Sequence, residues 1–311
     1  MKYQQLFLLL VAALVFSSCT PKEPKLHRPK KGALFSFSYQ AVKELSIAKN
    51  DPATGDAWNA ELAAKSGIDG QDVWEIKSAP GKLDLVDRLA DSGFIRHLLD
   101  TLGTITIAGT APKGPLSSYG LTPPVFAIRW RDSDKQHELR LGSQTGTNEA
   151  RFGFAPPNEE VYIVQGAALK MLAYLSSFEG IRQRRLVTFD SDDVDEFEIF
   201  SGTKRLMYVE RETDYWINEK GKPLRGSQEL LDQLTHIRIK NFIDKAELNK
   251  KLLSKLEKPM YRAVFKDRGG NPTVLKVVVA DSSVYASLSS RSGSVFELFS
   301  EAIRSFSIRK T

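Results

Sequence analysis

Cysteine is almost missing from this chain. Cys19 is the only one among 311 residues, which excludes a disulfide within the chain and leaves packing to stabilise the fold. Long apolar runs are missing too. The apolar stretch at residues 6–16 is shorter than the roughly 20 residues that a membrane-spanning helix needs. With 41% hydrophobic and 26% charged residues, the composition is that of a globular protein.

The short apolar stretch and the lone cysteine together form an export signal. Lys2 precedes residues 6–16, and Ser17 and Ser18 form a small-residue exit before Cys19. This plan is that of a secretory signal peptide, and its ending in cysteine resembles a bacterial lipoprotein signal. We therefore expect cleavage before Cys19 and acylation of its sulfur and its new amino terminus, as with palmitate. Several acyl chains on one residue form an anchor that hardly dissociates. An ordinary secreted protein with an incidental cysteine is the alternative.

The net charge of +6 is concentrated at the amino terminus. Before residue 33, six basic residues face Glu23 alone and contribute +5: Lys2, Lys22, Lys25, Arg28, Lys30 and Lys31. About +1 then remains for the folded body, so no basic face for nucleic acid is predicted. Beside an anchored Cys19, these cations are expected to lie against anionic lipid headgroups.

The chain organises into four parts. We predict a signal peptide at residues 1–18, a lipidated cysteine and Pro/Lys-rich tether at 19–36, a first lobe at 37–188 and a second lobe at 189–311. The two lobes follow one order of elements, marked by Asp72-x-Trp74 in the first and Asp214-x-Trp216 in the second. The predicted fold class is α+β, with two tandem related lobes. Each lobe has an antiparallel β-meander, a helix, further antiparallel strands and a C-terminal helix.

Hydrophobic periodicity places the elements of each lobe. In the first lobe we predict strands at 42–49, around Trp58, and at 72–76, 125–131, 137–141 and 160–164, with helices at 83–102 and 167–178. In the second lobe we predict strands at 194–200, 204–210, 214–217, 260–265, 274–279 and 284–288, with helices at 230–239 and 294–306. Residues 142–159 form a polar excursion without a counterpart in the second lobe, and such a loop is either a plain connection or a functional element.

Several segments in this succession resemble a known family. They are Trp74-Glu-Ile, Ala79-Pro80, Leu83-Asp84, Tyr119-Gly-Leu-Thr-Pro-Pro124, Leu139-Arg-Leu-Gly142, Glu160-Val-Tyr162, Arg182-x-Arg184-Arg-Leu186 and Asp214-x-Trp216. Over roughly residues 40–245 the chain resembles the bacterial envelope proteins classed as domain of unknown function 4340. Members are typically membrane-attached or lipoproteins. Many are encoded beside ABC-transporter components, some like those of gliding-motility machinery. The resemblance implies an accessory role at a membrane transporter or envelope complex, and it supplies no catalytic residues.

The usual motifs of catalysis and cofactor binding are missing from the sequence. His27, His97, His137 and His236 are scattered, without the spacing of a helical metal site, so no metal and no cofactor are predicted. No Gly-x-Ser-x-Gly, phosphate-binding loop or dinucleotide fingerprint is found. The segment from Ser46 to Lys49 matches Ser-x-x-Lys, but it lies in a strand pattern without the companion motifs. We interpret it as a coincidence.

Clustered charges flank the boundary between the lobes. Asp190, Asp192, Asp193, Asp195 and Glu196 form the densest acidic run, which fits a solvated linker better than calcium binding because the order of an EF-hand loop fails.

Three arginines precede the acidic run. Arg182, Arg184 and Arg185 either bind an anionic partner or pair with the carboxylates just after them, and the second interpretation is favoured. They are the candidate interaction residues. Trp74 and Trp216 recur at equivalent positions, which indicates core residues rather than a ligand shelf.

These observations favour a non-catalytic, lipid-anchored interaction or accessory module that faces the periplasm or the exterior. The choice between inner and outer membrane stays open. The expected partners are membrane lipid, through acylated Cys19, and an envelope or transporter protein, contacted through an exposed sheet edge or a groove. A cell-wall or polysaccharide-acting enzyme is one alternative, and it would need two carboxylates about 5 to 10 Å apart in a cleft. A small-ligand-binding lipoprotein with an apolar pocket is another.

Overall fold

The computed structural model describes residues 32–66, 72–79, 85, 87–133, 135–146, 150–243 and 248–306. The predicted signal peptide, Cys19, His27 and the tether up to residue 31 lie outside the described residues.

Two eight-stranded, largely antiparallel sheets dominate the fold, and helices accompany each of them, so the α+β prediction is confirmed. The strands of the first sheet are β1 (Glu44–Asp51), β2 (Asp56–Ser66), β3 (Asp72–Ser78), β4 (Thr106–Thr110), β5 (Phe126–Arg131), β6 (Gln136–Gln144), β7 (Ala150–Phe154) and β8 (Tyr162–Gln165). Their spatial order is β3-β2-β1-β5-β6-β7-β8-β4.

The second sheet has the same order of strands, with each strand number raised by eight. Its strands are β9 (Val194–Ser201), β10 (Lys204–Glu212), β11 (Tyr215–Ile217), β12 (Ile239–Ile243), β13 (Tyr261–Asp267), β14 (Pro272–Ala280), β15 (Ser283–Leu288) and β16 (Val295–Leu298). They lie in the order β11-β10-β9-β13-β14-β15-β16-β12.

Four α-helices and several short 3-10 helices are found in the described part of the chain. The α-helices are α1 (Ser92–Leu102), α2 (Ala167–Tyr174), α3 (Ser227–Thr235) and α4 (Lys250–Glu257). The 3-10 helices are Tyr39–Ala41, Leu116–Tyr119, Phe178–Ile181, Ser191–Asp193, Ser289–Arg291 and Ser300–Phe306.

The chain forms two compact units that interleave along the sequence. Of the described residues, unit 1 contains 32–57, 63–66, 72 and 93–176. Unit 2 contains 58–62, 73–79, 85, 87–92, 177–243 and 248–306. The predicted lobe boundary after residue 188 stays a prediction.

The buried apolar side chains of unit 1 are found on its strands and on helices α1 and α2. On β5, Phe126, Ile128 and Trp130 are buried while Arg129 and Arg131 are exposed, which is the alternation that the sequence predicts. The buried side chains of α1 are Ile95, Leu98, Leu99, Thr101 and Leu102. Their three- and four-residue spacing gives the helix one apolar face.

The core of unit 2 collects aromatic side chains. Phe197 meets Trp216 edge to face with ring centroids 5.2 Å apart, and Phe306 stacks on Tyr261 at 5.5 Å. Leu231 and Leu234 of α3 belong to the same core. Helix α4 makes a second, smaller core by packing Leu252 and Leu256 against Val278, Ala280 and Val295, the last three from β14 and β16.

A short segment pairs with the outermost strand at one end of each sheet. In unit 1, Leu34 N–H donates to Ile105 C=O (2.8 Å) and Ile107 N–H donates to Gly32 C=O (3.0 Å). In unit 2, Leu186 N–H donates to Ile237 C=O (2.9 Å) and Ile239 N–H donates to Arg184 C=O (2.8 Å). These bonds fill backbone groups that an open edge would present to another chain.

Three helix predictions need correction. The helix predicted at 83–102 begins at Ser92, because Arg88 and Ala90 instead pair with β3: Ile76 N–H donates to Arg88 C=O (2.8 Å) and Ala90 N–H to Trp74 C=O (2.9 Å). The helix predicted at 230–239 ends at Thr235, and Ile239 begins β12. The predicted C-terminal helix at 294–306 is strand β16 followed by a 3-10 helix. Apolar residues two apart on these strands also fit the apolar face of a helix, so periodicity alone does not separate the two.

The polar excursion at 142–159 contains the end of one strand and the whole of another. Strand β6 continues to Gln144 and β7 occupies Ala150–Phe154, so the interpretation as a loop without a counterpart is wrong. By position in the sheet, β7 corresponds to β15. Strand β4 was also missed. The remaining strand predictions and the helix at the start of 167–178 are confirmed, with ends that shift by a few residues.

Candidate functional site

The most deeply buried charges of unit 2 meet at Arg291. Its guanidinium forms a salt bridge with the carboxylate of Asp87, and the two side chains are only 1% and 5% exposed. Nε donates to Asp87 Oδ1 at 3.1 Å, and Nη2 donates to Asp87 Oδ2. The ring of Phe296 lies 4.5 Å from the guanidinium carbon. Neither residue was singled out from the sequence, since no local pattern links positions this far apart.

Arg291 also holds the backbone of the segment at 182–186. Nη1 donates to the carbonyls of Arg185 (3.0 Å) and Leu186 (3.2 Å), and Nη2 donates to the carbonyl of Gln183 (3.1 Å). With the two bonds to Asp87, all five N–H donors of the guanidinium are used. Arg291 therefore fixes the positions of the Asp87 carboxylate and of the backbone at residues 183–186.

The first candidate interaction residue, Arg182, is inside this network. Its side chain is 1% exposed, and its guanidinium lies 3.7 Å above the centre of the Phe242 ring. Nη2 donates to Asp87 C=O at 3.0 Å, and Nη1 donates to Glu179 Oε2 at 3.2 Å. Arg182 therefore connects Asp87 to β12 from within unit 2.

The other two candidate residues are bonded to nearby backbone and to one carboxylate. Arg184 Nη1 donates to the carbonyls of Ile239 (3.3 Å) and Lys240 (2.8 Å). Arg185 donates from Nε to Thr235 C=O (3.0 Å) and from Nη1 to Asp190 Oδ1 (2.8 Å). Among the described contacts, Arg185 pairs with a carboxylate of the acidic run, whereas Arg182 pairs with Glu179, which precedes it, and Arg184 binds backbone carbonyls. A role of the three arginines toward a partner stays a prediction.

The acidic run is divided among separate structural contacts. Asp190 and Asp193 form a capping box around the short helix Ser191–Asp193, in which Asp190 N–H donates to Asp193 Oδ2 at 3.2 Å. Glu196 accepts from Lys266 Nζ at 2.6 Å, and Asp195 lies 4.0 Å from Arg211. The part of the chain that the structure describes holds no group of three or more His, Cys, Asp or Glu that could bind a metal ion.

Lys49 is a buried lysine in unit 1. Its side chain is 4% exposed, and Nζ donates to Asp56 Oδ2 at 2.7 Å and to Leu175 C=O at 3.2 Å. The hydrogen bond from Lys49 lowers the pKa of Asp56 below its ordinary value. Ser46 lies three residues away on the same strand, so its side chain points to the opposite face of the sheet. Ser46 and Lys49 are therefore not placed side by side, as the Ser-x-x-Lys motif would require.

The described histidines have separate surroundings. His137 stacks on Trp130 with centroids 5.2 Å apart and contacts Asp132 Oδ2 through Nε2 at 2.9 Å. His97 lies in α1 and His236 follows α3. Trp74 and Trp216 are 4% and 5% exposed, and Trp216 Nε1 donates to Gln228 at 3.0 Å, as expected of core residues.

Two motifs of the family resemblance touch in unit 1. Gly142, on β6, lies so close to the turn at Tyr119 and Gly120 that a Cβ on it would stand 2.0 Å from Tyr119 O. Gly120 has φ +66°, in the left-handed region that glycine favours. The Tyr-Gly-Leu turn and the Leu-Arg-Leu-Gly strand are therefore one packing unit.

Two open grooves lie on unit 2. One, of about 340 Å³, is lined by residues of β10, including Arg205 and Tyr208, and of the segment that follows β11, including Glu219. Its charges are paired, since Arg205 donates to Glu198 at 3.1 Å and also to Glu219. The second, of about 500 Å³, lies beside the 3-10 helix Ser300–Phe306.

Among the described residues, no helix is long and apolar enough to cross a membrane.

Comparison with known families identifies the class of this chain. The family described as "Domain of unknown function (DUF4340)" matches residues 74–255, which is more than half of the 311 residues. The chain belongs to this family. The match begins in β3 and ends in α4, so β13 to β16 and Arg291 lie outside it. No curated protein and no solved structure matches the chain.

Proposed function

We propose that the chain is a lipid-anchored envelope protein that acts as a non-catalytic interaction or accessory module, for an ABC-type transporter or a gliding-like envelope complex. The observation that carries this proposal is the use of its buried charges. Asp87, Arg182, Arg291 and Lys49 are all bonded to structural partners. A core whose buried charges are engaged by structural partners is suited to presenting a surface.

Repetition of one scaffold supports the same proposal, and we infer that the two sheets arose by tandem duplication. Their strand orders are identical, and so are the backbone bonds of the segments at 32–34 and 184–186. The bond from Ala90 N–H to Trp74 C=O likewise has its equivalent in Leu224 N–H to Trp216 C=O (2.8 Å). A duplicated scaffold offers more surface to partners and does not require a catalytic site.

The length of the tether limits how far the module reaches from a membrane. From Cys19 to Gly32 there are 32 − 19 = 13 residue steps, and a fully extended chain spans at most about 3.3–3.6 Å per residue. Gly32, whose carbonyl accepts from Ile107, would then lie within roughly 45 Å of the anchored cysteine. A partner is therefore expected close to the membrane surface.

In-cell crosslinking tests the proposal. The wild-type chain and Cys19→Ala are crosslinked in cells and purified from solubilised envelope, and the recovered proteins are identified by mass spectrometry. We expect transporter or envelope-complex subunits with the wild type and their loss with Cys19→Ala. Asp281→Asn, which changes an exposed carboxylate of unit 2, is the control and should recover the same subunits.

Recovery of the protein alone, or of cell-wall material, would contradict the proposal and favour a cell-wall enzyme or a ligand-binding lipoprotein. Equal recovery of subunits with Cys19→Ala would contradict the requirement for the anchor. Incorporation of labelled palmitate into the wild type, and not into Cys19→Ala, checks the acylation separately.

A further inference from the structure

The groove of about 500 Å³ on unit 2 combines an apolar floor with cationic walls. Ile237, only 5% exposed, and Ala302 belong to the main core of the unit or pack against it. Phe299 lines the same groove with 49% of its surface exposed. The floor is thus continuous with the core, while one large aromatic side chain is left open to solvent. Its volume falls within the range of specific binding sites.

Two arginines line this groove without a bonded partner. Within the described chain, neither Arg238 nor Arg304 has a hydrogen bond or an ion pair from its side chain. Glu301 is the acidic residue among the lining side chains, so the two arginines leave one positive charge in excess. By contrast, Arg182, Arg184, Arg185 and Arg291 are all bonded. Exposed arginine beside exposed aromatic surface is the composition that binding hot spots favour.

The backbone of the groove is fixed in place. Arg238 is bridged to Arg185, and its neighbours Ile237 and Ile239 are hydrogen-bonded to the segment at 184–186. Phe299 C=O accepts from Ala302 N–H at 3.0 Å, which anchors the start of the 3-10 helix. Because the segment at 184–186 already pairs with residues 237–239, a partner that adds a strand at that position would have to displace it. The groove needs no such displacement.

We infer that this groove binds a peptide segment of a partner protein that presents a carboxylate beside an apolar side chain, such as a carboxyl terminus ending in leucine or phenylalanine. The inference rests on the proposed function as an interaction module. The carboxylate accepts hydrogen bonds from Arg238 and Arg304, and the apolar side chain lies on Ile237 and Ala302 against Phe299. The carboxylate of Glu301 beside the two arginines favours such a discrete segment over an extended anionic membrane surface, which Glu301 would repel.

Peptide binding tests the inference. The probes are an acetylated pentapeptide ending in Ala-Leu with a free carboxylate and its carboxyl-amidated twin. Both are titrated into the unlipidated mature chain (residues 20–311), and binding is followed by amide chemical shifts in NMR. We expect the carboxylate peptide to bind at least tenfold more tightly than the twin, with shifts concentrated around Phe299 and Ala302.

Variants assign the binding to the groove. Arg238→Gln and Arg304→Gln should each lower the preference for the carboxylate, and Phe299→Ser should weaken both peptides. Arg268→Gln, an exposed arginine in the β13–β14 turn, is the matched control and should bind like the wild type. Unchanged thermal unfolding of the variants shows that the fold is retained.

Equal affinity for the two peptides, no binding of either, or full binding by the double variant of Arg238 and Arg304 would overturn the inference. Sedimentation of the same chain with phosphatidylglycerol vesicles, lost in that double variant while the peptides fail to bind, would assign the groove to lipid instead. If the double variant still recovers the envelope complex in cells, the groove inference fails while the proposed function stands.

Discussion

Arg291 holds the carboxylate of Asp87 across 204 residues of sequence, inside a single compact unit. The contact brings an early segment of the chain into the same core as the last strands. It also fixes three carbonyls of the segment at 182–186, whose arginines are among the most distinctive residues of the family resemblance.

Substitution of one partner in the Arg291–Asp87 ion pair should lower the stability of the fold. Asp87→Asn leaves the buried charge of Arg291 without its counter-ion, and we expect a loss of about 3–5 kcal/mol in the free energy of unfolding. Urea unfolding followed by tryptophan fluorescence measures it. Asp281→Asn, at a carboxylate with 81% side-chain exposure, should change stability by less than about 0.5 kcal/mol. A similar, small effect of both variants would contradict the structural role of the pair.

The interleaving of the units predicts which fragments fold. A chain of residues 189–311 lacks Asp87 and the carbonyls that Arg291 binds, so we expect it to be unfolded or aggregated. A chain of residues 177–311 mixed with a peptide of residues 58–92, which together contain all of unit 2, should regain dispersed NMR signals. Cooperative unfolding of 189–311 by itself would show that the segment at 73–92 is dispensable.

Substitution of Asp56 should reduce stability more than substitution of its ion-pair partner Lys49. The side chain of Lys49 is 4% exposed, whereas that of Asp56 is 29% exposed. Asp56→Asn leaves a buried ammonium with weaker partners, while Lys49→Met leaves a carboxylate that water can reach. We expect Asp56→Asn to be the more destabilising change in thermal and urea unfolding. The opposite order would mean that packing of the methionine, and not charge, decides the result.

The close approach of Gly142 to Tyr119 predicts a steric effect. Gly142→Ala would place a methyl group 2.0 Å from the Tyr119 carbonyl oxygen, and separating them costs about 3 kcal/mol or more. Gly146→Ala is the matched control, since a Cβ at Gly146 meets nothing within 4 Å. Chemical denaturation of both variants compares them. Equal stability would place the turn farther from β6 than the structure shows.

Acid should destabilise unit 2 through Glu297. Hydrogen bonds from Lys240 (2.8 Å), Asn241 (2.7 Å) and Ser283 (3.1 Å) lower the pKa of Glu297 below its ordinary value. A carboxyl with a lowered pKa in the folded state contributes stability above its unfolded pKa, and this is lost as the pH falls from about 4.5 through the lower folded value.

Glu297→Gln should therefore flatten the decline of stability below about pH 4.5, as measured by urea midpoints across pH. Glu229→Gln, at an exposed carboxylate on α3, serves as the control and should retain the wild-type decline. An unchanged decline in Glu297→Gln would exclude this carboxyl as a source of acid sensitivity.

Much of the sheet structure is predictable from the sequence, because alternation on strands such as β5 and β14 is strong and turns mark their ends. Strands β4, β7, β12 and β16 are absent from the sequence-based prediction. Three of them are short and adjoin or fall within a predicted helix, and β7 lies in a stretch of polar composition. The residues at 83–90 carry apolar spacing that fits a helix, yet the described residues Arg88 and Ala90 find their hydrogen-bond partners on β3. Such tertiary pairing overrides local periodicity.

The buried charges could be predicted only in part. The arginines at 182, 184 and 185 and the acidic run are visible as local clusters, and internal pairing was the favoured interpretation of them. Asp87 and Arg291 are isolated in sequence, and their partnership depends on long-range topology. The groove at Phe299 could not be predicted from local patterns either, because its residues come from the end of α3, the residues between α3 and β12, and the segment from Phe299 into the 3-10 helix.

The bonds of residues 32–34 to β4 have a mechanical consequence. If Cys19 is acylated as proposed, a pull on it reaches the described part of the chain at the hydrogen bonds of Gly32 and Leu34 to Ile107 and Ile105. The force then acts on the outermost strand of the first sheet, β4, and not on a helix or a loop. Thermal motion of the membrane or movement of a transporter would be resisted at this seam before it reached either core.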